Sequence, residues 1–282
     1  MRYIALILTF LITTSSFSED KLSEFVSNLI PGEGITESSI KLYGDDLSED
    51  PQINILAVRD INYTEFSNLF TQFGATSQKI NNFSREILNL GFGLRNLNQD
   101  KSLMYGFNVF WDNDFEAQHN RASIGLELKG SMIDLTANSY HALNNQQEVN
   151  GVKEQVLSGY TFNLASQIPY SPWAKINWQN YTWDNEKSAE NTEGNTLAIE
   201  TYVTPSFQLI AKKDFSDNTG VDDTKSYRFV YVYPPIEVNS MLDGFSDSAF
   251  EKENMEKKLR EKVRRENNLT VEIQGAVVVT SK

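Results

Sequence analysis

The sequence predicts an all-β chain that forms a twelve-stranded antiparallel outer-membrane β-barrel, and three observations lead to this prediction. Apolar residues alternate with polar or small ones in segment after segment between residues 36 and 233, which is the period of a β-strand. Aromatic residues gather at the segment ends, and short connections alternate with long polar ones, as in membrane barrels. A soluble secreted β-sandwich would share the alternation and stays an alternative fold.

The first 18 residues predict a secretory signal peptide. Arg2 provides a basic start, an apolar run extends from Tyr3 to Ile12, and Ser16 and Ser18 supply the small residues of a cleavage site. The run is too short for a hydrocarbon core of roughly 30 Å, which needs about 20 apolar residues. We therefore expect cleavage after Ser18, followed by a short periplasmic segment over residues 19–35.

Breaker residues divide the rest of the chain into strands of similar length. The predicted strands are Thr36–Tyr43, Gln52–Arg59, Thr64–Ala75, Arg85–Leu97, Ser102–Asp112, Arg121–Lys129, Met132–Leu143, Gln155–Ser166, Ala174–Trp183, Asn195–Thr204, Phe207–Phe215 and Lys225–Tyr233. Their number is even, as an antiparallel bacterial barrel requires. We expect residues 36–233 to be the barrel and residues 144–154, 184–194 and 214–223 to be its long polar loops.

Each strand has an apolar face and a polar or glycine-rich face. In a membrane barrel the apolar face contacts lipid and the other face lines the lumen. The residues expected to face the lumen are Asn89, Gly91, Gly93, Arg95, Gly106, Asn108, Arg121, Gly125, Glu127 and Arg228. Those expected to face lipid or an interfacial girdle are Tyr105, Phe107, Trp111, Tyr227, Phe229, Tyr231 and Tyr233, with Trp173 and Trp183 also near strand ends.

Composition excludes several classes of function. The net charge of -13 argues against a nucleic-acid partner. The chain contains no cysteine, so disulfides and thiolate chemistry are excluded. The mean hydropathy of -0.42 would suggest a soluble protein, but barrel strands hide their lipid face in alternate residues.

Candidate chemistry is sparse, and we expect neither an enzyme nor a cofactor. His119 and His141 are the only histidines, and a strand pair separates them. Asp112, Asp114 and Glu116 alternate as oxygen ligands could, but the glycine turn and distal glutamate of a calcium loop are missing. Ser139 and His141 share a strand face without a third group or a nucleophile elbow.

Three sequence blocks resemble the translocator domain of the intimin and invasin family, the inverse autotransporters. They are GFGLR at residues 91–95, GFNVFWDNDF at residues 106–115, and Arg121 followed by IGLE at residues 124–127. The likeness extends over most of residues 36–233. It implies a barrel with a periplasmic N-terminus that exports a C-terminal passenger through its lumen.

The resemblance also gives residues 234–282 a role, because such barrels have a linker helix in the pore followed by an extended segment. Phe250–Glu266 has a helical pattern in which Met255, Leu259 and Val263 form one stripe among charged residues. On its charge pattern alone it would be a surface helix. The linker-like stretch from Arg264 to Ile273 follows. The sequence ends at Lys282, so we expect no adhesive immunoglobulin-like domain, and host binding is not carried over.

The functional prediction is an outer-membrane translocator that anchors its own C-terminal segment at the cell surface. The expected partners are outer-membrane lipid and the barrel-assembly machinery, which would recognise the aromatic last strand from Lys225 to Tyr233. We expect a monomer, and the sequence names no extracellular partner. The alternative functions are a small passive pore and a surface-loop adhesin without a passenger.

Overall fold

The computed structural model describes residues 28, 30–44, 51–81, 83–188, 190–273 and 276–278. The predicted signal peptide, residues 1–18, lies outside the described residues and stays a prediction. Most of the predicted periplasmic segment, residues 19–35, also lies outside them. Among the described residues, no helix is long and apolar enough to cross a membrane.

Sixteen strands are present in the described chain. They are β1 (Gly34–Tyr43), β2 (Gln52–Tyr63), β3 (Ser67–Ile80), β4 (Phe83–Leu97), β5 (Leu103–Asp114), β6 (His119–Gly130), β7 (Ile133–Ala142), β8 (Gln147–Val149), β9 (Val152–Val156), β10 (Ser158–Ile168), β11 (Ser171–Asp184), β12 (Thr192–Thr204), β13 (Phe207–Ser216), β14 (Thr224–Tyr233), β15 (Val271–Ile273) and β16 (Ala276–Val278). A 3₁₀ turn covers Met241–Asp243, and a short helix, α1, covers Met255–Lys258.

Twelve of these strands close into one antiparallel barrel, in the order β1-β14-β13-β12-β11-β10-β7-β6-β5-β4-β3-β2. Closure is made by β1 and β14, which pair from Thr36 opposite Tyr233 to Tyr43 opposite Ser226. The predicted fold class is therefore confirmed, and the alternative of a soluble β-sandwich is wrong. Closure leaves the barrel without a free sheet edge, which is the condition for a sheet in lipid.

The two faces of the barrel wall differ in chemistry as the alternation predicts. Outward side chains are apolar and exposed, as at Phe107 (48 %) and Leu126 (59 %). Inward side chains are polar and buried, and Arg95, Arg121 and Glu127 are at most 3 % exposed. A wall of this kind places its apolar band against lipid and encloses a polar lumen.

One aromatic residue expected in the girdle lies inside the barrel instead. Trp183 is 2 % exposed, and its ring centroid lies 5.2 Å from that of Tyr140. The guanidinium of Arg121 lies 5.7 Å from the Trp183 ring. The girdle assignment of Trp183 is therefore wrong, because its position on β11 places the indole on the inward face, where the arginine and Tyr140 cover it.

The two ends of the barrel have different connections. Short turns at residues 131–132, 169–170 and 205–206 lie at the end where the chain enters β1 and leaves β14. The opposite end carries the longer loops, and the loop predicted at residues 144–154 contains the β8–β9 hairpin. The predicted strand Gln155–Ser166 is in fact divided between β9 and β10. In outer-membrane barrels short turns are periplasmic and long loops extracellular.

The helix predicted over Phe250–Glu266 is much shorter in the structure. Only Met255–Lys258 is helical. Asn254 caps its start, because the Asn254 side chain accepts a hydrogen bond from the Glu256 N–H at 3.0 Å. The chain beyond α1 is extended and irregular until β15. The prediction was wrong in extent because the barrel wall supplies the hydrogen-bond partners that helical turns would otherwise provide.

Candidate functional site

Residues 254–270, here called the lumen segment, run through the barrel from one end to the other. At the short-turn end, Met255 and Leu259 pack against Leu97 and Met104, which flank the β4–β5 turn. At the loop end, Leu269 packs in a buried cluster with Ile80 and Ile87, which flank the β3–β4 connection. The lumen segment therefore enters at the short-turn end and leaves at the loop end.

The carbonyl oxygens of the lumen segment are bound by side chains of the barrel wall. Asn68 Nδ2 and Arg95 Nη1 both donate to the Leu259 oxygen at 3.1 Å. Three further wall side chains donate to carbonyl oxygens of the lumen segment: Asn138 to that of Arg264 (3.1 Å), Arg121 to that of Glu266 (2.8 Å) and Asn89 to that of Asn267 (3.0 Å). A buried carbonyl without a partner would cost free energy, so these donors satisfy an extended chain inside the wall.

Backbone N–H groups of the lumen segment are paired in the same way. The Val263 N–H donates to Gln72 Oε1 at 2.8 Å, and the Glu266 N–H donates to the Tyr140 hydroxyl at 2.8 Å. Gln78 binds both backbone groups of Leu269: its Nε2 donates to the carbonyl at 2.7 Å and its Oε1 accepts from the N–H at 2.9 Å. The wall thus replaces intrahelical hydrogen bonds.

Charge is matched between the lumen segment and the wall. Five basic side chains between residues 258 and 265 each bind an acidic side chain of a different strand. The pairs are Lys258 with Asp134 (2.5 Å), Arg260 with Asp60 (2.5 Å), Lys262 with Glu37 (2.5 Å), Arg264 with Glu200, and Arg265 with Asp112 (2.7 Å). Since the acidic partners lie on several strands around the lumen, the pairing fixes the position of the segment along the barrel axis.

Among these five pairs, Arg265 and Asp112 are the most deeply buried, and both side chains are 0 % exposed. Arg121 binds the same carboxylate at 2.9 Å. The Arg265 guanidinium also lies 4.3 Å from the Phe110 ring, and the Arg121 guanidinium lies 4.6 Å from the Tyr140 ring. Two cations therefore share one carboxylate and are covered by aromatic faces, which attract cations through their quadrupoles.

Glycines of the GFGLR block make room for aromatic rings inside the barrel. A Cβ at Gly91 would lie 2.2 Å from the Phe110 ring, and a Cβ at Gly93 would lie 2.3 Å from the Phe70 ring. Both rings pack with Val263 in a central apolar cluster. The glycines are thus required by close approach of side chains from the neighbouring strands.

The segment that leaves the lumen is held by the loop end of the barrel. β15 adds to β9, with Val271 opposite Val156, so that the exit carries a small sheet in the order β16-β15-β9-β8. The Glu272 carboxylate accepts hydrogen bonds from the backbone N–H groups of Glu186, Lys187 and Ser188 at 2.9–3.1 Å. Successive N–H groups that converge in this way bind anions.

Glu154 connects this exit sheet to the barrel wall at the loop end. Its carboxylate binds Arg85 at 2.6 Å, and its Oε2 lies 3.5 Å from His119 Nε2. Burial alone would raise the pKa of Glu154, but the contacts with His119 and Arg85 favour the charged form and lower it below its ordinary value. The ionised form of Glu154 is therefore the one that holds β9 in place.

The residues expected to face the lumen are distributed as follows. Asn89, Gly91, Gly93, Arg95, Asn108, Arg121, Gly125 and Glu127 are buried inside the wall, whereas Gly106 and Arg228 are half-buried on the same inward face. Of these, Asn89, Arg95 and Arg121 bind the lumen segment directly. Arg95 also binds Glu127 at 2.8 Å.

The residues expected to face lipid lie on the outward face. Tyr105, Phe107, Trp111 and Tyr227 are exposed, and Phe229, Tyr231 and Tyr233 are half-buried. The residues expected in the pore helix lie in the lumen segment, where Met255, Leu259 and Val263 are at most 2 % exposed. Arg264, also expected there, binds Glu200. Asp112 and Asp114, considered as cation ligands, are bound by arginines.

Several wall residues that hold the lumen segment were not recognised from the sequence. They are Asn68, Gln72, Gln78, Asn138, Tyr140 and Glu200. All but one of them lie on predicted strands, on the face that the alternation turns inward. Gln78 lies three residues beyond the predicted strand Thr64–Ala75, because β3 extends to Ile80. The alternation could have placed these residues in the lumen. It could not have shown which groups of the lumen segment they bind.

A closed barrel with an apolar outer wall and a lumen occupied by its own C-terminal chain defines the class: an outer-membrane barrel with a threaded linker. Residues 19–267 match the family model described as "Inverse autotransporter, beta-domain". The chain belongs to this family and is an outer-membrane translocator and anchor domain. The outer membrane is thus its location.

Individual proteins also resemble this chain to different extents. Invasin of Yersinia enterocolitica is 30 % identical over 139 residues, which are 47 % of this chain and 16 % of that protein. A solved structure named "Unveiling the Mechanism Behind the in-meso Crystallization of Membrane Proteins" has a TM-score of 0.66 at 18 % identity and covers 85 % of this chain and all of that one. The KdgM porin has a TM-score of 0.44 at 4 % identity, with 71 % of this chain and 98 % of that chain covered.

Proposed function

We propose that this barrel carries the chain that follows β14 through its lumen to the cell surface and then holds it there. The observation that carries the proposal is the path of the lumen segment, which enters at the short-turn end beside Leu97 and Met104 and leaves at the loop end beside β9. Since short turns face the periplasm, the path leads outward. Whatever chain follows residue 278 would then start outside the membrane.

The paired charges support a final, fixed position of the exported chain. A buried ion pair contributes little net stability, but removal of one partner leaves an uncompensated charge and costs several kcal/mol. A shift of the lumen segment by one residue would separate Arg265 from Asp112 and Arg264 from Glu200 at the same time. The register seen here is therefore favoured over its neighbours, which is how the barrel would act as an anchor.

The same occupancy argues against the alternative of a passive pore. Arg95, Arg121 and the lumen segment fill the centre of the barrel with bonded side chains. We expect the full chain to show no open-channel current in a planar bilayer, whereas a steady current would favour a pore.

Further properties belong to this proposal. We propose that the chain is not an enzyme: Ser139 Oγ lies 3.1 Å from His141 Nε2 on the outward face of β7, and within the described residues no acidic side chain bonds to that histidine. Export through a cleaved signal peptide, assembly by the barrel-assembly machinery and a monomeric state are proposed with it.

The test is a reporter domain fused after Lys282 and probed with an antibody on intact cells. The proposal predicts that the reporter is accessible on intact cells and is removed by added protease, while a reporter inserted at Ser248, at the short-turn end, is reached only after lysis. A reporter after Lys282 that is found only in the periplasm would contradict the proposal. Heat-modifiable migration of both fusions serves as the control for barrel folding.

A further inference from the structure

Residues 240–250, here called the rim segment, expose several large apolar side chains between the last strand and the lumen entrance. Met241 is 47 %, Leu242 77 %, Phe245 77 % and Phe250 44 % exposed. Apolar surface of this kind, gathered in one short segment, marks a contact with another apolar phase or molecule. The lipid-facing strands account for most other exposed apolar residues, but the rim segment belongs to no strand.

The rim segment is fixed to the barrel, so its exposed side chains are held in place. The Tyr170 N–H donates to the Ala249 oxygen at 2.9 Å, and the Ser246 N–H donates to the Tyr170 oxygen at 3.0 Å. Trp173 Nε1 donates to the Gly244 oxygen at 2.8 Å, and the Trp173 and Phe245 ring centroids lie 5.7 Å apart. Both partners belong to the β10–β11 turn region at the short-turn end.

The attachment point gives the height of the rim segment relative to the membrane. The outward face of β10 exposes Tyr160, Phe162 and Leu164, and the strand ends at Ile168. Tyr170 follows two residues later, within about 7 Å of Ile168 at ~3.4 Å per residue, and is 53 % exposed. Tyrosine and tryptophan at this position mark the membrane–water interface, so the rim segment is continuous with the lipid-facing band.

We propose that the rim segment places Leu242, Phe245 and Phe250 into the interfacial region of the periplasmic leaflet, and that its partner is a zwitterionic phospholipid. The lipid class follows from charge: residues 240–250 contain Asp243 and Asp247 and no lysine or arginine, so anionic headgroups would be repelled. Attraction must come from apolar burial, which salt does not screen. The segment would fasten the chain to the membrane directly before it enters the lumen.

The polar groups of the rim segment are arranged in keeping with this role. The Asp243 carboxylate accepts hydrogen bonds from the Ser240 N–H at 2.7 Å and the Ser240 hydroxyl at 2.8 Å. These hydrogen bonds lower the pKa of Asp243. The carboxylate is thereby folded back onto its own turn, next to Leu242.

The absence of native cysteine permits a depth measurement on the full chain. Leu242→Cys and, as a second position, Phe250→Cys would carry a bimane fluorophore in phosphatidylcholine vesicles whose lipids bear a nitroxide either near the headgroup or near the chain end. Leu126→Cys, on the outward face of β6, and Lys153→Cys, in the exposed β9 hairpin, serve as the lipid and water controls. Heat-modifiable migration checks that each variant is folded.

The proposal predicts that bimane at residue 242 loses fluorescence more strongly to the headgroup-proximal nitroxide than to the chain-end nitroxide, whereas residue 126 shows the opposite order. High salt should leave this loss unchanged, and replacement of a third of the lipid by an anionic one should not increase it. A loss no larger than at Lys153→Cys would overturn the proposal. A second measurement compares the reaction of the unlabelled Leu242→Cys thiol with a water-soluble maleimide in native envelopes and in vesicles. If the thiol is protected only in the envelopes, the segment binds a periplasmic protein, and the lipid proposal is overturned.

Discussion

Gln78 binds Leu269 through both ends of its side-chain amide, with the Leu269 oxygen at 2.7 Å and the Leu269 nitrogen at 2.9 Å. One glutamine on β3 thus provides for the lumen segment what a neighbouring strand provides in a sheet. The arrangement holds an extended chain inside a barrel without adding it to the wall.

Replacement of Gln78 by leucine should loosen the lumen segment near its exit. Gln78→Leu keeps the size of the side chain but leaves the Leu269 N–H and carbonyl without partners, at about 1–3 kcal/mol for each group. Hydrogen exchange at Leu269 should accelerate accordingly. The control is Gln208→Leu, a buried inward glutamine on β13 with no described hydrogen bond to the lumen segment. Equal exchange at Leu269 in wild type and Gln78→Leu would refute the role of this amide.

The Arg265–Asp112 pair should respond differently to removal of its two partners. Asp112→Leu leaves two buried guanidinium groups, Arg121 and Arg265, without their carboxylate, and should cost about 3–5 kcal/mol or more. Arg265→Met leaves Asp112 paired with Arg121 and should cost less. Urea unfolding of the refolded barrel in detergent measures both. Equal losses for the two variants would contradict the shared-carboxylate arrangement.

A side chain at position 91 should lower the free energy of unfolding as long as Phe110 is present. Gly91→Ala places a Cβ at 2.2 Å from the Phe110 ring, and such overpacking costs about 1–3 kcal/mol. Phe110→Leu in the same chain should recover part of the loss. Gly130→Ala, where the nearest atom is 3.5 Å away, is the matched control and should unfold like wild type. A Gly91→Ala chain as stable as the control would show that the ring moves aside freely.

The exit sheet should loosen in acid because of Glu154. Its folded pKa is lowered, by contacts with His119 and Arg85 that outweigh burial, so the stability it contributes is complete above the unfolded value of about 4.3. This stability is lost as the pH falls through the lower folded pKa. Hydrogen exchange in β9, corrected for intrinsic rates, should show the loss in wild type. Glu154→Gln should lack this pH step, and an identical step in both chains would exclude Glu154 as its source.

The alternation of the sequence predicted the barrel well, because the apolar and polar faces of a strand can be recognised from the residues of that strand alone. Phe107 and Asn108 need no distant information to show which side is apolar. The helix was predicted too long for the opposite reason: the spacing of Met255, Leu259 and Val263 fits a helix, but the partners of the intervening backbone lie on strands up to 191 residues away in sequence, as for Gln72 and Val263. The β8–β9 hairpin was missed because β9 is completed by β15, more than 100 residues later.

The most direct test of the threaded path uses three single cysteines in a chain that has none of its own. Lys153→Cys lies in the β9 hairpin at the loop end, Ser248→Cys lies at the short-turn end, and Lys282→Cys is the last residue of the sequence. A membrane-impermeant maleimide is added to intact cells and again after lysis. The threaded path predicts labelling of residues 153 and 282 on intact cells and of residue 248 only after lysis. Labelling of residue 282 only after lysis, with residue 153 labelled on intact cells, would contradict it.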